Sequence, residues 1–173
     1  RFPVSEERTR RWVERDVLDR EDRILFFIED ESWTPVGQVG ILHYDSEQKQ
    51  CEFDNLIRGR KGRFGNLMIY ALLALGDWCV RELGIDGGYV HVLADNSVAI
   101  GLYKRLGAVE VAKIPLKLEE TGNSLRWAPA VLRPGETPER ELVKMYFGKD
   151  LLQREEFRKM REGPGNGTDE HPA

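Results

Sequence analysis

The chain has 173 residues, 40% of them hydrophobic, which is enough to bury the core of one domain. Lys and Arg number 26 against 30 Asp and Glu, for a net charge of -4, so the basic face of a general nucleic-acid binder is not expected. No apolar run approaches the roughly 18 residues of a membrane span and no signal-peptide core is evident, so neither a nucleic-acid nor a membrane partner is expected, and the expected location is the cytoplasm.

Ser5 ahead of Glu6 and Glu7 reads as a helix start with acids in the first turn, and Trp12, Val13 and Val17 carry a helical stripe that ends near Asp19. Ile24 to Ile28 is a short apolar strand. Val36 to Tyr44 alternates as a second, with Val36, Gln38, Gly40 and Leu42 on one face and Gly37, Val39, Ile41 and His43 on the other. A third strand places Cys51, Phe53 and Asn55 opposite Glu52, Asp54 and Leu56.

That strand runs into Arg58-Gly59-Arg60-Lys61-Gly62-Arg63-Phe64-Gly65-Asn66, where four cations and three glycines precede a long apolar-periodic segment. Glycines let the backbone approach a ligand closely, and a helix starting just after them aims unpaired N–H groups and a partial positive charge at whatever sits there. The loop reads as an anion cradle with phosphate as its tenant. A phosphate-loop NTPase is excluded, because that motif needs Gly-Lys followed by Ser or Thr, whereas Lys61 precedes Gly62 and Arg63. RNA binding is disfavoured by the acidic total and by the lack of aromatics between the cations.

The helix from Asn66 to Leu83 carries Leu67, Tyr70, Ala71, Ala74, Leu75, Trp78, Cys79 and Leu83 on its stripe and is stopped by Gly84. Tyr89 to Leu93 is the next strand, parallel to the third because a helical crossover joins them. Asp95 or Asn96 then caps a helix with Ala99, Leu102, Tyr103 and Leu106, ended by Gly107. Val109 to Leu118 alternates as a strand, with Pro115 suggesting an edge or a bulge. Gly122-Asn123, Pro129, Pro134-Gly135 and Pro138 mark Glu119 to Glu139 as a long excursion, and Glu141 to Phe147 returns to strand character and offers an edge for pairing two chains as a homodimer. Residues 1–150 form the expected domain, 151–162 a charged C-terminal helix, and 163–173 a disordered tail. Cys51 and Cys79 lack CxxC spacing and read as buried free thiols, with no metal site.

The order of antiparallel strands, strand, glycine loop, helix, strand, helix, strand, long connection and final strand resembles the GNAT superfamily of N-acetyltransferases. Two stretches carry the likeness: Leu56 to Met68 is similar to the family's pyrophosphate loop, and Val92 to Ala108, with Asn96-x-x-Ala99-x-x-Leu102-Tyr103-x-x-Leu106-Gly107, is similar to its second cofactor motif. The loop departs from the family's usual spacing of Arg or Gln to its glycines. The resemblance covers about residues 24–147. It implies an α/β fold, a mixed central sheet with splayed parallel strands flanked by helices, and leaves open that the family's first strand precedes Arg1.

What the resemblance implies about function is an N-acetyltransferase that moves an acetyl group from acetyl-CoA to a primary amine of a small molecule, such as an amino sugar or sugar nucleotide, or to a peptide N-terminus. Cofactor binding is then expected at Leu56, Ile57, Arg58, Lys61, Gly62, Arg63, Phe64, Gly65 and Asn66, with Asn96 bonding the cofactor arm. Tyr103 would face the sulfur as general acid, and Glu52 or Asp54 would serve as the base, with His43 or His91 as a substitute of suitable pKa. Arg126 and Trp127 stand out as acceptor-recognition residues. With no Cys beside a His, direct attack without an acyl-enzyme is expected. The competing reading is a non-catalytic coenzyme A sensor or assembly module of the same fold.

Overall fold

The computed structural model describes residues 5–59, 66–121 and 124–153, with the side chains of Thr121 and Ser124 left aside. The expectations placed on residues 60–65, on the helix beyond Gln153 and on the tail lie outside the described residues. Helix α1 spans Glu6–Val13 and continues as a π-helical turn over Glu14–Leu18. Strands β1 (Ile24–Glu29), β2 (Pro35–Asp45) and β3 (Gln50–Arg58) follow, then α2 (Leu67–Glu82), β4 (Gly87–Leu93), α3 (Ser97–Leu106), β5 (Val109–Thr121), β6 (Ser124–Pro129), β7 (Arg140–Gly148) and α4 (Lys149–Leu152).

The strands form one mixed sheet in the order β1-β2-β3-β4-β7-β5-β6, in which, among the described residues, only the β3–β4 pair is parallel. The β3-α2-β4 and β4-α3-β5 crossovers travel the same way across the sheet, so right-handed connections lay both helices on one face. That face is the core: Val39, Ile41, Cys51, Phe53, Val90, Val92, Val143, Met145 and Phe147 from the strands meet Leu72, Leu75 and Cys79 of α2 and Tyr103 and Leu106 of α3. Phe147 sits at its centre, edge-on to both Phe53 and Tyr103 at 5.9 Å between ring centres. Cys51 and Cys79 are free and fully buried, as expected, and the Cys79 thiol is pushed up by its hydrogen bond with Cys51 and by burial.

Helix ends follow local chemistry. Ser5 caps α1 by accepting from the Arg8 N–H at 3.2 Å, and Asn96, not Asp95, caps α3 by accepting from Ala99 at 3.2 Å. Gly107 ends α3 with φ 93, and Gly84 follows α2 with φ 67, conformations an L side chain would resist. Within α2 the buried stripe differs from the expected one. Leu72, Leu73, Gly76 and Val80 turn inward while Tyr70 and Ala74 face solvent, because an apolar residue stands at nearly every position and periodicity alone does not choose a face.

Three further expectations are corrected. The excursion expected from Glu119 is in part a hairpin, because β5 runs on to Thr121 and pairs with β6 from Leu116↔Pro129 to Thr121↔Ser124. Pro115 sits in an interior strand one residue before that ladder begins, and the β5 bulge lies earlier, between Glu110 and Ala112. The final strand β7 is not an edge, since β4 and β5 pair with its two sides; the edges are β1 and β6.

Two β-bulges reset the faces of β2 and β3. Between the pairs Leu42↔Glu52 and Asp45↔Gln50, His43 and Tyr44 oppose Cys51 alone, and His43 takes φ 53. Instead of sharing the core face with Val39 and Ile41, His43 is turned out beside Glu52, while Tyr44 donates its hydroxyl to the Leu83 carbonyl at 3.1 Å. Between Gly40↔Asp54 and Gln38↔Ile57 the extra residue lies on β3, where Asn55 takes φ 51; Leu56 thereby leaves the face of Glu52 and Asp54 and packs against the core.

Candidate active site

The parallel pairing of β3 with β4 stops after Gln50↔Gly87, Cys51↔Gly88 and Glu52↔Tyr89. Beyond it β3 follows β2 and β4 follows β7, so the two parallel strands splay apart. A Cβ at Gly37 would come within 2.7 Å of the Ile57 carbonyl, and Gly59 donates to Val36, so Ile57 and Gly59 turn their backbone toward β2. By the alternation of a strand, Leu56 and Arg58 turn theirs into the gap. On the other side Ala94 donates to Glu141 of β7, and the same alternation faces His91 and Leu93 into the gap. Backbone donors and acceptors on two diverging edges are what an extended, amide-bearing ligand needs in order to lie between them as a further strand.

At the gap's far end stands the N-terminus of α2. Ile69 and Tyr70 both donate to the Asn66 carbonyl, which leaves the Leu67 and Met68 N–H groups without a helical acceptor, and the Asn66 side chain makes no cap bond. Such a terminus favours an anion. Of the loop residues named from sequence, Arg58 and Asn66 flank this position, whereas Lys61, Gly62, Arg63, Phe64 and Gly65 lie outside the described residues. Asn96 uses its Oδ1 for the α3 cap, which leaves its NH2 group for another acceptor.

Tyr103 projects from α3 onto Phe147 and is 8% exposed. Burial raises its pKa, so the hydroxyl is protonated at neutral pH, and among the described residues that hydroxyl has no hydrogen-bond partner. It is a protonated hydroxyl held among apolar side chains on the core face of the sheet.

The opposite face of the sheet carries a polar cluster. Glu52 receives His91 Nδ1 on Oε1 at 2.9 Å and His43 Nδ1 on Oε2 at 3.1 Å. Burial alone would push its carboxyl up, but the hydrogen bonds and charges of His91 and then His43 overcome this and hold it below the usual range. Glu52 is therefore an ionised carboxylate with both oxygens engaged. The His91 ring stands edge-on to Tyr89 at 5.3 Å, and the Lys144 ammonium lies 3.8 Å above the Tyr89 ring.

Asp54, on the same face, is engaged differently. Its Oδ2 pairs with Arg23 and accepts from Asn55 Nδ2 at 2.7 Å. Arg23 is nearly buried, donates to the Asp16 carbonyl at 2.8 Å and stacks over Trp12, so it ties α1 and its π-helical turn to the β3 bulge. Nothing singled Arg23 out in the sequence; the signal available was a cation abutting the apolar run of β1.

The two acceptor candidates separate. Trp127 lies beneath the Arg140 guanidinium at 5.5 Å, and Arg140 reaches Asp95 at 2.6 Å, which draws Trp127 toward the turn between β4 and α3. Arg126 points to the other side of β6 and pairs with Glu119 across the hairpin at 2.9 Å. Among the described residues no group of His, Cys, Asp and Glu is arranged to hold a metal ion, and no helix is long and apolar enough to cross a membrane.

A family model described as acetyltransferase (GNAT) domain matches residues 1–109. The chain belongs to the GNAT acetyltransferase family: it is an acyl-CoA-dependent N-acyltransferase, and its donor cofactor is acetyl-CoA. Among solved structures it is similar to a spermidine N-acetyltransferase from Vibrio cholerae in complex with CoA and spermine, with 15% identity and a TM-score of 0.66 over 89% of this chain and 82% of that one. A chimera of that enzyme with a human counterpart gives 19% identity and a TM-score of 0.64 over 87% and 81%. A dodecameric form of the Vibrio cholerae enzyme gives 18% and 0.60 over 87% and 78%. At these identities the likeness shows the fold. No curated protein sequence matches the chain.

Proposed function

We propose that this protein transfers the acetyl group of acetyl-CoA to a primary amine of a small molecule, by direct attack of the amine. The observation that carries the reading is the splay of β3 from β4 after the Glu52–Tyr89 pair, bordered by a protonated Tyr103 on one face and an ionised Glu52 with two histidines on the other. Bound acetyl-CoA supplies an activated thioester. Leu56, Arg58, His91 and Leu93 offer backbone groups to an amide-bearing arm, the Leu67 and Met68 N–H groups offer an anion site to its pyrophosphate, and the Asn96 amide offers a donor. Arg60, Lys61 and Arg63 would add positive charge to the same anion.

Tyr103 would supply the proton that a departing thiolate needs, from a hydroxyl no other described residue claims. The Glu52 cluster on the other face supplies the means to remove a proton from the amine. The acceptors of the similar spermidine N-acetyltransferases make a polyamine the first candidate, and Trp127 beneath Arg140 at the turn before α3 favours an amino sugar as the second. Acetyl-CoA should raise the melting temperature, and thiol release should appear with spermidine, glucosamine or a short peptide amine in a panel. No stabilisation by acetyl-CoA would overturn the reading; stabilisation with no thiol release from any amine would favour the sensor alternative.

A further inference from the structure

We propose that His91 is the group that removes the proton from the acceptor amine, with Glu52 as the residue that positions it. This rests on the transferase reading above. His91 stands two residues beyond the last β3–β4 ladder pair, on the strand edge that faces the gap, and its Nδ1 is 2.9 Å from Glu52 Oε1. Because that carboxylate can only accept, Nδ1 carries the hydrogen, and whenever the ring is neutral its lone pair lies on Nε2. Among the described residues nothing bonds to Nε2. The ring plane is fixed by the edge contact with Tyr89.

The other titratable groups of the cluster are less suited. Glu52 has both oxygens occupied by imidazole, and Asp54 is paired with the nearly buried Arg23 and with Asn55. His43 binds the other oxygen of Glu52, but it belongs to β2, with β3 between it and the gap, and its side chain is 52% exposed against 23% for His91. The charged and titratable groups facing His91 are thus Glu52 and Asp54 from β3, His43 from β2 through Glu52, Tyr89 on its own strand and Lys144 from β7, its partner in register.

In the step, the Nε2 lone pair takes a proton from the ammonium form of the acceptor, leaving a neutral amine and an imidazolium whose new charge faces the Glu52 carboxylate. No bond to carbon changes, and the proton passes on to water. The arrangement parallels a carboxylate holding a catalytic imidazole in one tautomer.

The test is thiol release from acetyl-CoA with spermidine as the acceptor probe, or with glucosamine if spermidine is not used, for wild type, H91Q, H43Q and E52Q from about pH 5.5 to about 9. Coenzyme-induced thermal stabilisation is followed in each variant. H91Q should lose about 100-fold or more in kcat/KM near neutral pH with stabilisation by acetyl-CoA unchanged, and imidazole added to H91A should restore part of the rate. H43Q should lose less than H91Q, and E52Q should shift the acid limb of the profile. H91Q within about threefold of wild type, or H43Q losing as much as H91Q, would overturn the proposal. Should H91Q not fold, 15N imidazole spectra of wild type decide: Nδ1 protonated with Nε2 titrating supports it, and the reverse tautomer overturns it. A wild type that acetylates an amine while H91Q is unaffected sinks this assignment alone; a wild type with no thiol release from any amine sinks the transferase reading and this assignment with it.

Discussion

His91 and Glu52 meet across the line where β3 and β4 separate, Nδ1 of one lying 2.9 Å from Oε1 of the other just past the last paired residues. The contact joins the two strands on the face opposite Tyr103, so the proposed proton acceptor and the proposed proton donor stand on opposite faces of the sheet.

Tyr103 gives the first prediction. Its ring packs against Phe147 and its hydroxyl has no partner among the described residues, so Y103F keeps the packing and removes only the hydroxyl. Melting temperature should barely move, while kcat should fall about 100-fold with KM for acetyl-CoA little changed. An unchanged kcat would remove Tyr103 from the mechanism.

The Glu52 carboxyl, depressed by its histidines against burial, predicts a pH-dependent stability. A carboxyl whose folded pKa lies below its unfolded value contributes stability that is present above the unfolded value and lost as pH falls through the folded one. The advantage of wild type over E52Q in denaturation midpoint should therefore be full above about pH 5 and disappear as the pH drops through the acid range. A difference that stays constant with pH would contradict the ionised pairing.

Arg23 is the tie between the N-terminal helix and the β3 bulge. R23M leaves Asp54 without its cation and frees Trp12, and removing the nearly buried member of this partly exposed pair should cost about 1–3 kcal/mol in chemical denaturation. Amide exchange should rise over α1 and its π-helical turn, while the core strands β4 and β7 stay protected.

Gly88 lies against the Phe53 ring, and a Cβ there would approach it to 2.4 Å. G88A must displace an aromatic that also packs on Phe147, so a loss of about 1–3 kcal/mol in stability is expected, with a further loss of acetyl-CoA affinity because the same residues start the splay. G101A, which meets open space in α3, is the control and should be neutral or slightly stabilising.

Much of this architecture is legible locally. Ser5, Asn96, Gly84 and Gly107 mark helix ends by capping and by positive φ, and alternation gives β1 to β4 and β7 within two residues at each end. The spacing of Asn96 and Tyr103 on α3 is readable because both positions are set by one short helix. What escapes is decided between strands. His43 joins Glu52 only because a bulge rotates it out of the alternation, and Leu56 enters the core only because Asn55 adds a residue to β3. Arg23 and Asp54 stand 31 residues apart, and nothing in either segment announces the other. The β5–β6 hairpin is masked by prolines and charges that signal loop, although the ladder with β5 holds it as strand.

In the proposed reading the gap between β3 and β4 receives the coenzyme. The most direct measurement is titration of the 15N-labelled protein with acetyl-CoA, reading backbone amide shifts. The Arg58, Leu67, Met68, His91 and Leu93 amides should move together and saturate with one constant, while those of the outer strands β1 and β6 stay in place. Saturable binding that leaves the gap amides unmoved would contradict it.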